Sequence, residues 1–239
     1  GLTREELAAV PAKNHANGMN NPNAQFHRPV SVEDVINSAL VAEPLHLLDC
    51  SPITDGSAAV LLVAEDRALE FTDNPLYIVG SGQASDYALH SRDELTTINA
   101  ARLASQQAYA QAEISADDIR IAEVHDCFTV AEVIATEDLG FFAPGEGFNK
   151  AEEGVTARDG QKPVNTSGGL KSKGHPVGAS GAGQIVEVWK KLRGEADERP
   201  HFDGVGSDDR LRACQIGGPG DLEGVGADAS HRRSHGRHK

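Results

Sequence analysis

The sequence predicts an α/β chain with a ligand site at the ends of its strands. Three observations lead there. Ile119–Val124 alternates like a strand and runs into His125-Asp126-Cys127, ahead of a helical stretch from Val130 to Leu139. Asn165–Gly181 packs five glycines, one proline and one histidine into a short span, which suits neither helix nor strand because glycine loses too much backbone entropy there. Directly after it, Ile185, Val186, Trp189 and Leu192 fall at helical spacing, with Gly194 placed to end the helix. The order strand, helix, strand-end motif, helix, strand, Gly-rich loop, helix belongs to α/β folds, whose ligands bind beyond the strand ends.

The elements are expected as follows. Thr3 and Glu6 form a capping box for a short helix over Gly1–Val10, and the Asn-rich, polar stretch from Pro11 to Pro29 is expected as loop. Ser31 opens a second capped helix that runs to about Ala39. Ser57–Ala64 is a continuous small and β-branched run after the Asp55-Gly56 turn, suited to a strand buried on both faces. The charged, then turn-like segment Glu65–Pro75 marks a domain boundary. Leu76–Gly80 is a short strand. Ser91–Ala112 is a long Ala-rich helix turning Ile98, Leu103 and Tyr109 to the core, and Ser115–Asp118 caps a short turn. Phe141–Gln161 is a Gly/Pro-punctuated loop that leads into the Gly-rich span.

Composition bounds the function. The chain has 239 residues, enough for one large or two modest domains, with 39% hydrophobic and 5% aromatic residues, so Ala, Val, Leu and Ile must build the core. A net charge of −14 argues against a nucleic-acid partner. No apolar run approaches membrane-spanning length, and no signal-peptide pattern opens the chain. Three cysteines make no disulfide framework, which points to a reduced, cytoplasmic setting. The chain starts with Gly1 and its single methionine is Met19, so it is expected to be a processed product or a fragment.

The chemistry concentrates in three motifs. The Gly-rich loop carries His175 as a candidate base, and the helix behind it offers free N–H groups and a positive end to a polarised ligand. His125 and Cys127, two apart at a strand end, suit acid–base work; two residues do not make a zinc site and no C-x-x-C occurs, so no metal is expected. Cys214-Gln-Ile-Gly-Gly-Pro-Gly220 supplies a third cysteine beside glycines.

The span N-x-x-G-G-x-x-x-x-G-H-P-x-G-A-S-G from Asn165 to Gly181 resembles the C-terminal signature of the thiolases, and His125-Asp-Cys-Phe128 is similar to the form found in their archaeal and sterol-carrier-type members. The Asp55-Gly-Ser-Ala-Ala59 run resembles the last strands of the family's first half, and the resemblance extends over almost all of residues 1–220. It implies a thiolase-like fold of layers α-β-α-β-α. Residues 1–74 would be a remnant of the N-terminal domain with its helical covering subdomain, 75–222 the C-terminal domain, and 223–239 an atypical, disordered tail. It implies an acyl-CoA thiolase that makes or cleaves 3-ketoacyl-CoA by Claisen chemistry, with coenzyme A thioesters as substrates and no bound cofactor. By resemblance His175 activates a nucleophilic cysteine, His125 holds the thioester oxygen through a water, and N–H groups near Ile216–Gly217 form a second oxyanion hole. Cys214 or Cys127 then moves the proton of the acetyl methyl, with Cys214 preferred. Ser51, Asn165, Gly174, Gly178, Ser180 and Gly217 would line the substrate and coenzyme A.

Two features depart from the family. Its nucleophilic cysteine precedes the D-G-x-A-A strand, and Cys50 lies too close to Asp55-Gly56 to take that place. The final stretch is basic, and His231, His235 and His238 are placed to be metal ligands or part of a disordered end. The alternative reading is therefore a non-catalytic subunit that binds coenzyme A or assembles with a partner. A β-ketoacyl synthase fits less well, since it sets two active-site histidines differently. A partner chain carrying the missing half, or a homo-oligomer, is expected, and the chain alone is expected to associate because a truncated sheet exposes an apolar face.

Overall fold

The computed structural model describes residues 2–196, 211–216 and 223–229. Helix α1 (Arg4–Gly18) starts at the predicted capping box: the Thr3 hydroxyl accepts from the Glu6 N–H at 3.2 Å, and Glu6 Oε2 accepts from the Thr3 N–H at 2.7 Å. It does not stop at Val10, and Pro11 lies inside it. The polar residues that read as loop are instead donors turned inward. Lys13 bonds Glu132 and the Val164 carbonyl, Asn14 bonds Asp126 and Glu132, and Asn17 bonds the Asn165 carbonyl. Such buried partners offset the helix bond that Pro11 removes.

Ser31 and Asp34 cap α2 (Val32–Ile36), which is shorter than expected. The strands β1 (Leu40–Ala42) and β2 (Leu45–His46) then form a small antiparallel pair that the sequence did not announce. Ser57–Ala64 departs most from expectation. It has no regular secondary structure, and Leu61 and Leu62 are 74% and 70% exposed. A strand needs neighbours for its backbone groups, and among the described residues none pairs with this run.

The main sheet has the order β3-β6-β5-β4, made of β3 (Tyr77–Gln83), β4 (Ile121–Val124), β5 (Leu211–Ile216) and β6 (Glu223–Ala229). β4 and β5 are parallel, and β6 is antiparallel to both β5 and β3. β6 corrects the expectation of an irregular tail over 223–229. Its small and polar residues lack apolar alternation, yet strands on both sides bond its backbone. Residues 230–239, with His231, His235 and His238, lie outside the described residues.

β4 is buried on both faces, and its alternating side chains join two layers. Ala122 and Val124 pack with Ala135 and Leu139 of α4 (Thr129–Asp138) and with Val164. Ile121 packs with Val188 and Leu192 of α6 (Ser180–Leu192) on the other side. The chain is thus a layered α/β structure.

Helix α3 (Asn99–Ala112) begins later than predicted and packs on β3 through its small residues Ala104, Ala108 and Ala112. Leu103 faces outward, against expectation, while Tyr109 is half-buried and donates its hydroxyl to the Leu139 carbonyl at 3.1 Å. The approach is close because β3 offers Gly80 and Gly82. A Cβ at either glycine would overlap the carbonyl of Ala108 or Ala104.

Candidate active site

The site forms where two loops meet at the end of β4. The first is His125–Phe128, between β4 and α4. The second runs from Asn165 through the short helix α5 (Gly169–Ser172) to Ala179, ahead of α6.

Asn165 splices the second loop to the strand. Its N–H donates to the Ala122 carbonyl at 2.9 Å, its Oδ1 accepts from the Val124 N–H at 2.8 Å, and its Nδ2 donates to Glu132 at 2.8 Å. It is fully buried with both ends of its amide engaged, so it holds scaffold together instead of lining the ligand as expected. Ser167 is fastened to the same strand by its N–H and hydroxyl, both bonded to Glu123 at 3.0 and 2.6 Å. Glu123 is itself ion-paired with Lys191 of α6; although burial acts against it, the charges of Lys191 and Lys173 keep its carboxyl below the usual range. The second glycine of the G-G pair, Gly169, takes a left-handed φ of +57° and lies so close to Asp126 that a Cβ would stand 2.5 Å from its Oδ2. Asp126 then accepts from the Leu170 N–H at 2.7 Å. That contact brings the two loops together.

His175 is oriented from two sides. Its N–H donates to the Thr54 hydroxyl at 3.0 Å, and its Nδ1 lies 2.7 Å from the Ser180 hydroxyl. The Ser180 hydroxyl also reaches the Pro176 carbonyl at 3.1 Å; with its proton turned to that carbonyl, Nδ1 of His175 carries the ring proton and Nε2 is the accepting nitrogen. Ser180 is therefore an orienting residue, 3% exposed. The ring of His125 meets that of His175 edge to face, with centroids 4.9 Å apart and planes at 87°. Burial, with the neighbouring charges of His175 and Lys171, lowers the His125 pKa to about 4. His125 is thus neutral near pH 7, and its Nδ1 is buried with no hydrogen-bond partner among the described residues.

Cys127 is a half-buried free thiol, raised above its ordinary pKa by burial, with the charge of Lys171 pulling it back down. Its carbonyl accepts from the Ser51 N–H at 2.9 Å, and Cys50 bridges Phe128, so the Cys50–Ser51 segment lies beside the first loop. Ser51 thereby joins the site through its backbone. Cys214 is in β5 opposite Ala122, and Ile216 is opposite Val124. The strand puts Cys214 two residues short of the sheet end; its side chain, and Gly217, lie outside what is described. Gly174 has φ +114° and abuts Thr54. Gly178 sits on an open pocket of about 370 Å³ lined by Thr54–Ala58 and Pro176–Ala179. A larger cavity of about 910 Å³ lies apart from these residues, against Ala59–Val63, Phe71, Leu76, Ile185 and Trp189.

Beneath the two loops lies a buried charge network that sequence reasoning missed. Lys171 Nζ donates to the carbonyls of Asp126 at 2.7 Å and Asp49 at 3.1 Å. Asp49 accepts from Arg4 and Thr129, and Lys13 pairs with Glu132 at 2.5 Å. Burial raises Asp126 to about 6, with Lys171 opposing and Glu132 adding to the rise. The only sequence signal was position: Asp126 and Lys171 sit inside the two motifs. Among the described residues no group of three or more His, Cys, Asp or Glu is placed to hold a metal ion.

Comparison with known proteins gives consistent relatives. A family model described as thiolase C-terminal domain-like matches residues 81–204. The acetyl-CoA acetyltransferase of Methanothermobacter thermautotrophicus is 48% identical over 231 residues, covering 96% of this chain and 58% of that protein. The acetyl-CoA acetyltransferase of Methanocaldococcus jannaschii is 45% identical over 198 residues, covering 81% of this chain and 50% of that protein. Among solved structures, the Ltp2-ChsH2(DUF35) aldolase superposes with a TM-score of 0.84 at 29% identity, covering 97% of this chain and 60% of that one. The chain thus spans about half the length of the curated relatives it matches.

Proposed function

This chain belongs to the thiolase family, and we propose that it supplies the acid–base and oxyanion-binding part of an acyl-CoA thiolase, which makes or cleaves 3-ketoacyl-CoA. One observation carries the reading: His175, its Nδ1 bonded to Ser180, stands edge to face with a neutral His125 at the end of β4. In this reading the nucleophilic cysteine comes from a segment outside residues 1–239.

In this reading His175 Nε2 takes the proton of that cysteine, whose thiolate attacks the acyl thioester and releases coenzyme A. His125 and His175 steady the thioester oxygen through a water, and backbone N–H groups near Ile216–Gly217 stabilise a second oxyanion, each such donor being worth about 3–4 kcal/mol. Cys127 rests as a thiol, since burial holds its pKa up, and so suits the acid role of returning a proton to the enolate during cleavage. Cys214 is the second candidate for that role. Free thiols at Cys50 and Cys127 fit a reducing, cytoplasmic setting.

The second reading is a non-catalytic coenzyme A-binding or assembly subunit. The likeness to the solved Ltp2-ChsH2(DUF35) aldolase supports a partner chain or a second copy here too. Thiolysis of acetoacetyl-CoA by the natural protein decides between them. His175→Ala should lower kcat by about 10²–10⁴ with KM little changed, the scale of a lost general base. Coenzyme A binding with no turnover, or turnover unaffected by the substitution, would leave only the assembly reading.

A further inference from the structure

Lys171 is 1% exposed and lies between the loops that form the site. Its ammonium bonds the carbonyl of Asp126, in the peptide whose other half is the Cys127 N–H, and the carbonyl of Asp49, in the peptide that leads into Cys50. The Cys127 carbonyl is taken in turn by the Ser51 N–H at 2.9 Å. Cys127 is therefore pinned on both sides, and Lys171 links all three segments: its own α5, the His125–Phe128 loop and the Cys50–Ser51 segment.

The charge itself needs a reason. An uncharged donor would also bond two carbonyls, and an apolar residue of similar volume is often no less stable than a buried ion. The groups facing Lys171 are Asp126, Glu132, Asp49 and Cys127, while His125, His15 and Cys50 also feel its charge. Asp49 already has Arg4, and Glu132 already has Lys13. The Asp126 carboxylate is held by Asn14 and the Leu170 N–H, away from the ammonium's own bond to the Asp126 backbone. The positive end of the Lys171–Asp126 pair thus faces the Cys127 peptide.

We propose that Lys171 is a positioning residue for the Cys127 thiol: its buried ammonium fixes the thiol's backbone and sets a positive charge near the thiol, which stabilises the thiolate formed when Cys127 gives up its proton. This deepens the acid role given to Cys127 above and rests on that reading for its purpose. Its test reads the thiol without substrate, so either can fail alone.

The test is alkylation of the folded full chain by iodoacetamide as a function of pH, with peptide mass spectrometry separating Cys127 from Cys50 and Cys214. Lys171→Met should raise the midpoint for Cys127 by roughly 0.5–1 unit, a three- to tenfold smaller thiolate fraction at a given pH. Lys171→Arg, which keeps the charge and the donors, should stay near the parent midpoint. A purely structural role would shift neither midpoint, or both alike, and either result overturns the proposal. Should Lys171→Met fail to fold, Asp126→Asn decides: removal of the opposing charge should lower the midpoint, and an unchanged or raised midpoint overturns the proposal.

Discussion

Two neighbours, the half-buried His125 and the buried Asp126, respond to acid in opposite directions. His125 has its folded pKa lowered to about 4 by burial, so its contribution is present above the ordinary histidine pKa and is lost as pH falls toward 4. Asp126 has its folded pKa raised to about 6, so the folded protein takes up its proton more readily, and that contribution grows as pH falls through the same window. The two slopes oppose each other. His125→Asn removes the first and leaves the second, so the variant should lose less stability than the parent between pH 7 and pH 5, by roughly 2 kcal/mol. Urea unfolding at the two pH values checks this, and equal slopes in parent and variant would refute it. The motifs marked His125 and Cys127 as site candidates from the sequence alone. They did not mark Lys171 or Asp126, because burial and bonding to another loop's carbonyls arise only once α5 and β4 come together. Asn165 misled for the same reason: its motif suggests a ligand contact, while its positive φ and three backbone or side-chain bonds spend it on joining loop to strand.

Elements with a local signature were legible, and those stabilised from afar were not. The capping boxes at Thr3 and Ser31 mark the observed helix starts at Arg4 and Val32, since both partners lie three residues apart. The continuation of α1 past Pro11 depends on Glu132, Val164 and Asn165, which lie far along the chain. β6 depends on β3 and β5 in the same way. The α3–β3 contact is the clearest case of a hidden rule. The sequence directs attention to Ile98, Leu103 and Tyr109, but the helix approaches through alanines because β3 presents two glycines. Gly82→Ala should therefore push α3 off the sheet and destabilise the chain by about 1–3 kcal/mol, the usual range for overpacking. A shift in the urea midpoint at constant slope measures it, and an unchanged midpoint would mean that α3 is not held where described.

At the scale of the whole molecule, the described surface leaves a continuous apolar run exposed. Val60, Leu61, Leu62 and Val63 are 39–74% exposed in an unbroken run, and Leu69, Phe71, Ile78 and Trp189 are exposed as well. The run, Phe71 and Trp189 border the cavity of about 910 Å³ away from the site. An unpaired run of this kind offers both backbone bonds and apolar side chains to another strand. The net charge of −14 opposes contact between copies, but that repulsion is screened beyond about 8 Å at physiological salt, whereas buried apolar area is not. The chain on its own should therefore associate, and more so as salt is raised. Light scattering across a salt series reads this directly. Leu61→Lys with Leu62→Lys should shift the species toward monomer, because the substitution places two charges in the run without touching any residue of the His125–His175 site. A compact, stable monomer at all salt concentrations would mean that the Ser57–Ala64 run finds its cover within this chain.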